Sequence, residues 1–465
     1  MEETKKPLLF FTAFPGEGHT NPLLKVAHEM INRGYDVVVH TSKHFKDRID
    51  VMGAEFAEAP GLLDLVNPED LIKVKMMPQS MARVAFSIKN LFLAAIPART
   101  DNLEEVLAGV RERTDPSRQI IIMTELCSVG IMPFKWGRPA PRGFGSADDE
   151  GLDAFPRTIG LSAAHLSVRS VDTGPYMLNL PPDSTDSGRL RNAMLSRLLD
   201  EGLMRPSLEY NAEMMHKAGA VTFPETGADL MSTWFATPDV TLQMCLAEQE
   251  YPLSDLSPKI KFVGCLPRRQ SRPDDPLPDW WPDILNNSNA GAEKKKVVFV
   301  SQGTVALDYT DLVIPTLKAF ADRADEVLVV VALGVWGATL PDGFGEVPPN
   351  ARIADYLYYD TIMEHADVTV SNAGYGALCH AVVNGVPLVL AGDTEDKTES
   401  TNRAAWAGYA LGLYTQKPSP EQIRGGVEMV LSNEKYKQRA LELKALNEAQ
   451  STMDKIEGWV REFTM

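Results

Sequence analysis

The stretch Ser371-Asn372-Ala373-Gly374-Tyr375-Gly376-Ala377 places two glycines between an apolar run at 368–371 and a helical pattern. Asn384-Gly385-Val386-Pro387 then leads into a second apolar run at 388–391. A glycine turn at the carboxyl end of a strand, opening a helix, presents free backbone N–H groups and the positive end of the helix dipole, which together suit a phosphate. Residues 393–397, just past the next strand, add carboxylates and a cation at the same sheet edge. A diphosphate beside acids able to hold hydroxyl groups describes a nucleotide-sugar.

A second turn, Pro15-Gly16-Glu17-Gly18-His19-Thr20-Asn21-Pro22, follows the apolar run 8–14. A dinucleotide fingerprint needs a small residue three positions after its second glycine and an acid at the end of the next strand. Here those positions hold Asn21 and His40-Thr41, so both requirements fail. What remains is His19, on a turn between a buried strand and the helix it feeds. The helix amino end disfavours an imidazolium and is expected to hold His19 neutral, available as a base. The plainer reading is a histidine bridging backbone groups within the turn, and position alone does not separate the two. A carboxylate that orients the ring would strengthen the base. Glu125, just past the apolar strand 119–123, is better placed for that than Asp36, although it is equally suited to be a helix-start carboxylate.

In the second half, Ser301, Gly303 and Thr304 form another strand-to-helix turn able to hold phosphate through N–H groups and hydroxyls. Alone this signal is weak. Adjacent parallel strands would set it beside the turn at 372–376. Tyr356 could stack on a nucleobase or simply be an exposed loop tyrosine.

These turns need two strand-and-helix frameworks to carry them. Continuous apolar strands alternate with helical patterns in both halves, which predicts an α/β protein of two doubly wound, Rossmann-like domains with mainly parallel sheets. Residues 50–113 read as mostly helical, with Met77, Met81, Ile88 and Phe92 near one face. Such a stripe is core or the lining of an apolar pocket, where methionine adapts to varied shapes. Residues 137–186 read as long loops, 189–218 as a helix, and 267–293, crowded with Pro, Asp, Asn and Ser, as a linker. The domains expected are therefore 1–266 and 294–449, with a terminal helix at 450–465 whose Ile456, Trp459, Val460 and Phe463 must pack on something.

A chain of 465 residues exceeds what one core usually serves. The formal charge of -17 argues against a nucleic-acid partner, and the oligomeric state stays open. Cys127, Cys245, Cys265 and Cys379 are scattered, with no pair at a metal-ligand spacing, so no metal site and no disulfide scaffold is expected. The longest uncharged apolar run, 327–340, is too short to span a bilayer, and the chain is expected to be a cytoplasmic protein without stable membrane insertion.

Taken together, the paired motifs resemble the family-1 UDP-glycosyltransferases, which have the GT-B fold of two Rossmann-like domains facing across a cleft. Members pair Gly-x-x-Gly-His-x-x-Pro near the start with a carboxyl-half signature ending in Gly-x-Pro and an acidic pair. The segments 158–161 and 172–176 are similar to fungal and bacterial members acting on lipophilic acceptors. The resemblance covers nearly the whole chain and implies an inverting, metal-independent transfer of a hexose from a UDP-sugar, UDP-glucose by family habit, to a lipophilic hydroxyl compound, with no cofactor. His19 would be the base and Glu125 its partner. Ser301, Gly303, Thr304, Gly374, Tyr375 and Gly376 would hold the diphosphate, and Tyr356 the uracil. Asp396 and Lys397, or Glu395 if the register slips by one, would meet the sugar, and Glu399 the ribose. Met77, Met81 and Phe92 would line the acceptor site.

Three residues depart from the family pattern: Asn372 for a histidine at the diphosphate, Glu125 for an aspartate, and Lys397 for a glutamine at the sugar. Two other readings remain beside this one. One is an epimerase on the same fold, for which no acid/base set is visible. The other is a non-catalytic nucleotide- or lipophile-binding homologue, which would gain nothing from a neutral base.

Overall fold

The structure is a computed structural model that describes residues 6–78, 80–145, 155–225, 227–270, 272, 275–304, 306–394 and 396–464. By its internal contacts the chain forms two compact units. The first runs to Met244 and adds Pro252–Val263 and the stretch from Met453; the second is Cys245–Tyr251 and Gly264–Thr452.

The first unit is built on a 7-stranded sheet. Its strands are β1 (Leu8–Thr12), β2 (Val37–Thr41), β3 (Glu55–Glu58), β4 (Ile120–Glu125), β5 (Thr158–Ser162), β6 (Val240–Gln243) and β7 (Ile260–Phe262). Their order is β3-β2-β1-β4-β5-β6-β7, and every pairing is parallel. The order reverses between β1 and β4, where Thr12 pairs with Thr124. Such a reversal leaves a crevice at the carboxyl ends of the two strands.

The second unit has a 6-stranded parallel sheet in the order β10-β9-β8-β11-β12-β13. These are β8 (Lys296–Ser301), β9 (Val327–Ala332), β10 (Ala351–Ala354), β11 (Val368–Ser371), β12 (Leu388–Leu390) and β13 (Ala410–Gly412). Alternate side chains of β8 and β9 enter two different cores. Val298, Val300, Val329 and Val331 pack with the Val313–Phe320 helix, while Val297, Phe299, Leu328 and Val330 pack with Trp281 and Ile284. Period-two alternation with both faces buried is why these strands read as unbroken apolar runs.

Several sequence expectations change. Residues 50–113 contain β3, the short helix Leu62–Leu65, the helix Pro68–Met76 and a contiguous helical run in which Met81–Ser87 passes through a π turn at Ile88–Phe92 and a tight turn at Leu93–Ala95 into Ile96–Arg113. Met77 caps the Pro68–Met76 helix and precedes Pro78, so it shares no helix face with Met81, and the π turn shifts Phe92 again. Met81–Arg113 is also a helical run long and apolar enough to cross a membrane, with mean hydropathy 1.3. In the first unit its Leu103, Leu107 and Val110 are buried against Phe10 and Ile122. The helix expected at 189–218 is two, Asp186–Glu201 and Arg205–Lys217, broken at Gly202. Within 267–293, the Trp281–Ser288 helix buries Trp281 and Ile284 in the core of the second unit.

The helix Thr452–Glu462 packs on the first unit. Ile456 and Val460 are wholly buried. Arg33 Nη1 donates to Glu457 Oε2 at 2.8 Å, and Tyr35 donates to Glu457 Oε1 at 3.1 Å.

Candidate active site

His19 is the third residue of the Glu17–Asn32 helix that follows β1. The helix starts earlier than the turn-and-proline pattern predicts. Pro22 lies inside it, and its missing N–H leaves one early carbonyl without an intrahelical donor. Glu125 is the last residue of β4, the strand paired with β1. The switch in strand order therefore brings together residues separated by 106 positions, with His19 Nδ1 at 3.0 Å from Glu125 Oε1. Glu125 is 5% exposed, and its Oε2 has no hydrogen-bond partner among the described residues.

The charge state differs from the sequence expectation of a ring held neutral by the helix end. Burial is the largest single influence and pulls the His19 ring down, but Glu125 and Cys127 together outweigh it and the balance lies well above the ordinary value. A carboxylate at hydrogen-bonding distance exceeds the pull of a half-unit helix charge.

Two neighbours were not visible in the sequence. Cys127, two residues past the strand end, lies within hydrogen-bonding reach of both His19 and Glu125; burial, then Glu125, pushes its thiol up to about 11. Arg99, buried on the Ile96–Arg113 helix, sits over the Phe14 ring at 5.3 Å, with Nη2 unpartnered among the described residues. Burial lowers its guanidinium to about 10 and Glu125 holds it up. Nothing in a helical pattern distinguishes Arg99 from a surface arginine. Behind them His40, lowered to about 4 by burial, bonds Asn102 Oδ1 at 2.8 Å and the Thr12 hydroxyl at 3.0 Å.

An aromatic series leads away from His19. The Phe14 ring meets the His19 ring at 5.1 Å, Phe92 stacks on Phe14 at 4.9 Å, and Trp234 lies 5.6 Å from Phe92. Of the three residues expected to line an acceptor site, Phe92 is thus connected to His19 through Phe14, whereas Met77 and Met81 are half-buried in the broken helical segment.

In the second unit the order reverses between β8 and β11, where Ser301 pairs with Ser371. The turns after these strands are therefore neighbours, and the Asn372 side-chain amide donates to Gln302 O at 2.7 Å. That bond spends the amide on joining the two turns. Tyr359 donates to the Ser301 hydroxyl at 2.8 Å. Gly303 has φ +77, in the left-handed region that favours glycine. A Cβ on Gly334 would fall 2.1 Å from Gly303 O, so the turn needs glycine on both sides. Thr304 is exposed. Gly374 caps the Tyr375–Asn384 helix, and a Cβ on the exposed Gly376 would meet nothing within 4 Å, which leaves the amide end open. The Tyr375 side chain instead reaches Cys245.

Tyr356 stacks on Trp336 at 4.6 Å with an interplanar angle of 21°. Trp336, which sequence reasoning passed over, is 56% exposed. Asp396 caps the Lys397–Ala407 helix, and the Lys397 ammonium meets the Thr394 hydroxyl. Glu395 lies outside the described residues. Glu399 does not stand free for a ribose: its carboxylate accepts from Arg403 Nη1 at 2.5 Å, and Arg403 Nε donates to Glu250 at 2.6 Å, all three buried. The family pattern placed Glu399 by sequence offset, and helix phase turned it inward.

The sequence expected no metal-ligating constellation, because no two cysteines share a ligand spacing. The fold nevertheless sets one donor atom each from His19, Glu125 and Cys127 within 4.8 Å of one another.

The fold is shared with a solved glycosyltransferase of kitacinnamycin, with TM-score 0.66 and 18% identity over 98% of this chain and 99% of that one. The architecture is thus the two-domain GT-B fold. Residues 317–461 match the family described as erythromycin biosynthesis protein CIII-like, C-terminal domain. UDP-glucosyltransferase 1 of Beauveria bassiana is 37% identical over 96% of this chain and 93% of its own length. UDP-glucosyltransferase B1 of Starmerella bombicola is 31% identical over 98% of this chain and 99% of its own. The chain belongs to the family-1 UDP-glycosyltransferases and is a UDP-dependent glycosyltransferase.

Proposed function

We propose that the protein transfers glucose from UDP-glucose, with inversion, to a hydroxyl of a lipophilic small molecule, with His19 as general base. The observation that carries this reading is the 3.0 Å pair of His19 and Glu125 at the carboxyl edge of the first sheet. With Nδ1 turned to Glu125, Nε2 is the nitrogen left to take the acceptor proton. The hydroxyl oxygen forms its bond to the anomeric carbon as the bond to the diphosphate oxygen breaks, and a single displacement inverts that carbon. Glu125 stabilises the imidazolium formed.

The donor half of the reaction belongs to the second unit. The amides at Gly303, Tyr375 and Gly376 and the Ser301 and Thr304 hydroxyls suit the diphosphate, whose growing charge fixed N–H dipoles stabilise. The Trp336–Tyr356 pair suits the uracil, and Asp396 and Lys397 the sugar hydroxyls. The Phe14, Phe92 and Trp234 rings favour an apolar, aromatic-sized acceptor.

The test is His19→Ala, assayed with labelled UDP-glucose and a panel of hydroxylated aromatic and aliphatic compounds. Turnover is expected to fall by about 10²–10⁴-fold with UDP affinity little changed. Unchanged turnover would remove His19 from the base role. Wild-type protein that binds UDP yet turns over no acceptor would favour the binding homologue.

A further inference from the structure

The cluster of His19, Glu125 and Cys127 offers a nitrogen, an oxygen and a sulfur donor, all within 4.8 Å of one another. We propose that these three residues form a site for a thiophilic divalent cation, zinc above all, whose binding suspends glycosyl transfer. The site is new; the suspension rests on the reading of His19 as base.

Geometry favours zinc. Its ligands sit at about 2.3 Å for sulfur and about 2.0–2.2 Å for nitrogen and oxygen, which puts tetrahedral donor edges at about 3.3–3.8 Å. Donors already inside 4.8 Å reach that spacing by small side-chain rotations. Three protein ligands with an open fourth position is the arrangement that admits an exchangeable water. His19, with a side chain 36% exposed, leaves an approach from solvent. A thiolate in the set selects zinc over magnesium or calcium, which prefer oxygen throughout.

A second observation points the same way. Glu125 is 5% exposed, and its Oε2 has no hydrogen-bond partner among the described residues. A buried carboxylate oxygen left without a donor is costly, and native structures rarely keep one without cause. A cation beside Cys127 would satisfy it. Arg99, unpartnered at Nη2 among the described residues, is the opposing charge nearby. It weakens the site and keeps the metal exchangeable. A divalent charge on the ring ends its service as a base, and Glu125, once a metal ligand, no longer stabilises an imidazolium.

The experiment uses the full chain, with zinc chloride titrated against a chromophoric chelator, and cobalt chloride as an optical probe of sulfur ligation. Wild type is expected to take up one zinc, to show sulfur-to-cobalt charge-transfer absorption, and to lose transfer activity that a chelator restores. Cys127→Ala, with Cys127→Ser as the second variant should alanine destabilise the fold, is expected to lose that absorption and to bind zinc at least about tenfold more weakly. No stoichiometric uptake, or uptake unchanged in both cysteine variants, overturns the site. Stoichiometric uptake with undiminished transfer upholds the site, overturns its blocking role, and counts against His19 as base. The metal-free His19→Ala assay tests the base alone, so the two failures are distinguishable.

Discussion

A carboxylate 3.0 Å from a ring nitrogen decides the charge in which that ring rests. Because Glu125 and Cys127 together raise His19 well above 6.5, the neutral form required of the proposed base fills at higher pH than in a free imidazole. The acid limb of kcat/KM is therefore expected above pH 6.5. Glu125→Gln removes the charge that raises the ring, so that limb moves to lower pH. The plateau falls at the same time, by up to the roughly 10⁴-fold lost when a triad aspartate becomes an amide. A pH profile of kcat/KM with saturating donor checks both, and an unmoved limb would show that Glu125 does not set the ring's charge. The stability term carries the opposite sense. The raised His19 contributes fully below its ordinary value and loses that contribution as pH climbs through the raised one. At this scale His19 and Glu125 were legible, because each ends or follows an apolar strand. Arg99 and Cys127 were not, since only the third dimension brings them to the same carboxylate.

The terminal helix shows what one element contributes. Ile456 and Val460 are wholly buried and Glu457 is held by Arg33, Tyr35 and Arg461. Burial alone would raise the Glu457 carboxyl, yet its hydrogen bonds to Arg461, Arg33 and Tyr35 bring it down to about 2. Its contribution is complete above the ordinary value of 4.5 and is lost as pH falls towards about 2. Ile456→Ala is expected to cost about 2–5 kcal/mol, read as a lowered midpoint in urea with native secondary structure retained. A midpoint equal to that of wild type would mean the helix is not anchored through this side chain. The apolar stripe was readable from its spacing. The break at Pro78 is local proline chemistry that the periodic reading passed over, whereas the π turn at Ile88–Phe92 was not readable, because packing against Trp234 and its neighbours overrides a periodic pattern.

At the scale of the whole chain, His19, the proposed base, sits in one unit and the turns proposed for the nucleotide in the other. Donor affinity and turnover should therefore separate. UDP at a hundredfold excess over its Kd is expected to stabilise the protein by about 2.7 kcal/mol. The same gain is expected in His19→Ala, measured as a shift in thermal midpoint. A smaller shift in that variant would tie His19 to the donor.

The sequence alone determined the α/β class, the doubled framework and both strand-end turns, because these follow from local periodicity and from glycines that mark backbone turns. Tertiary structure decided partners and charge. The reversal between β1 and β4 paired His19 with Glu125, that pairing helps to raise the ring, and the fold set Arg403, the i+4 partner of Glu399, against the distant Glu250. Contacts between residues distant in sequence, and the burial that magnifies their fields, exist only once the chain has folded.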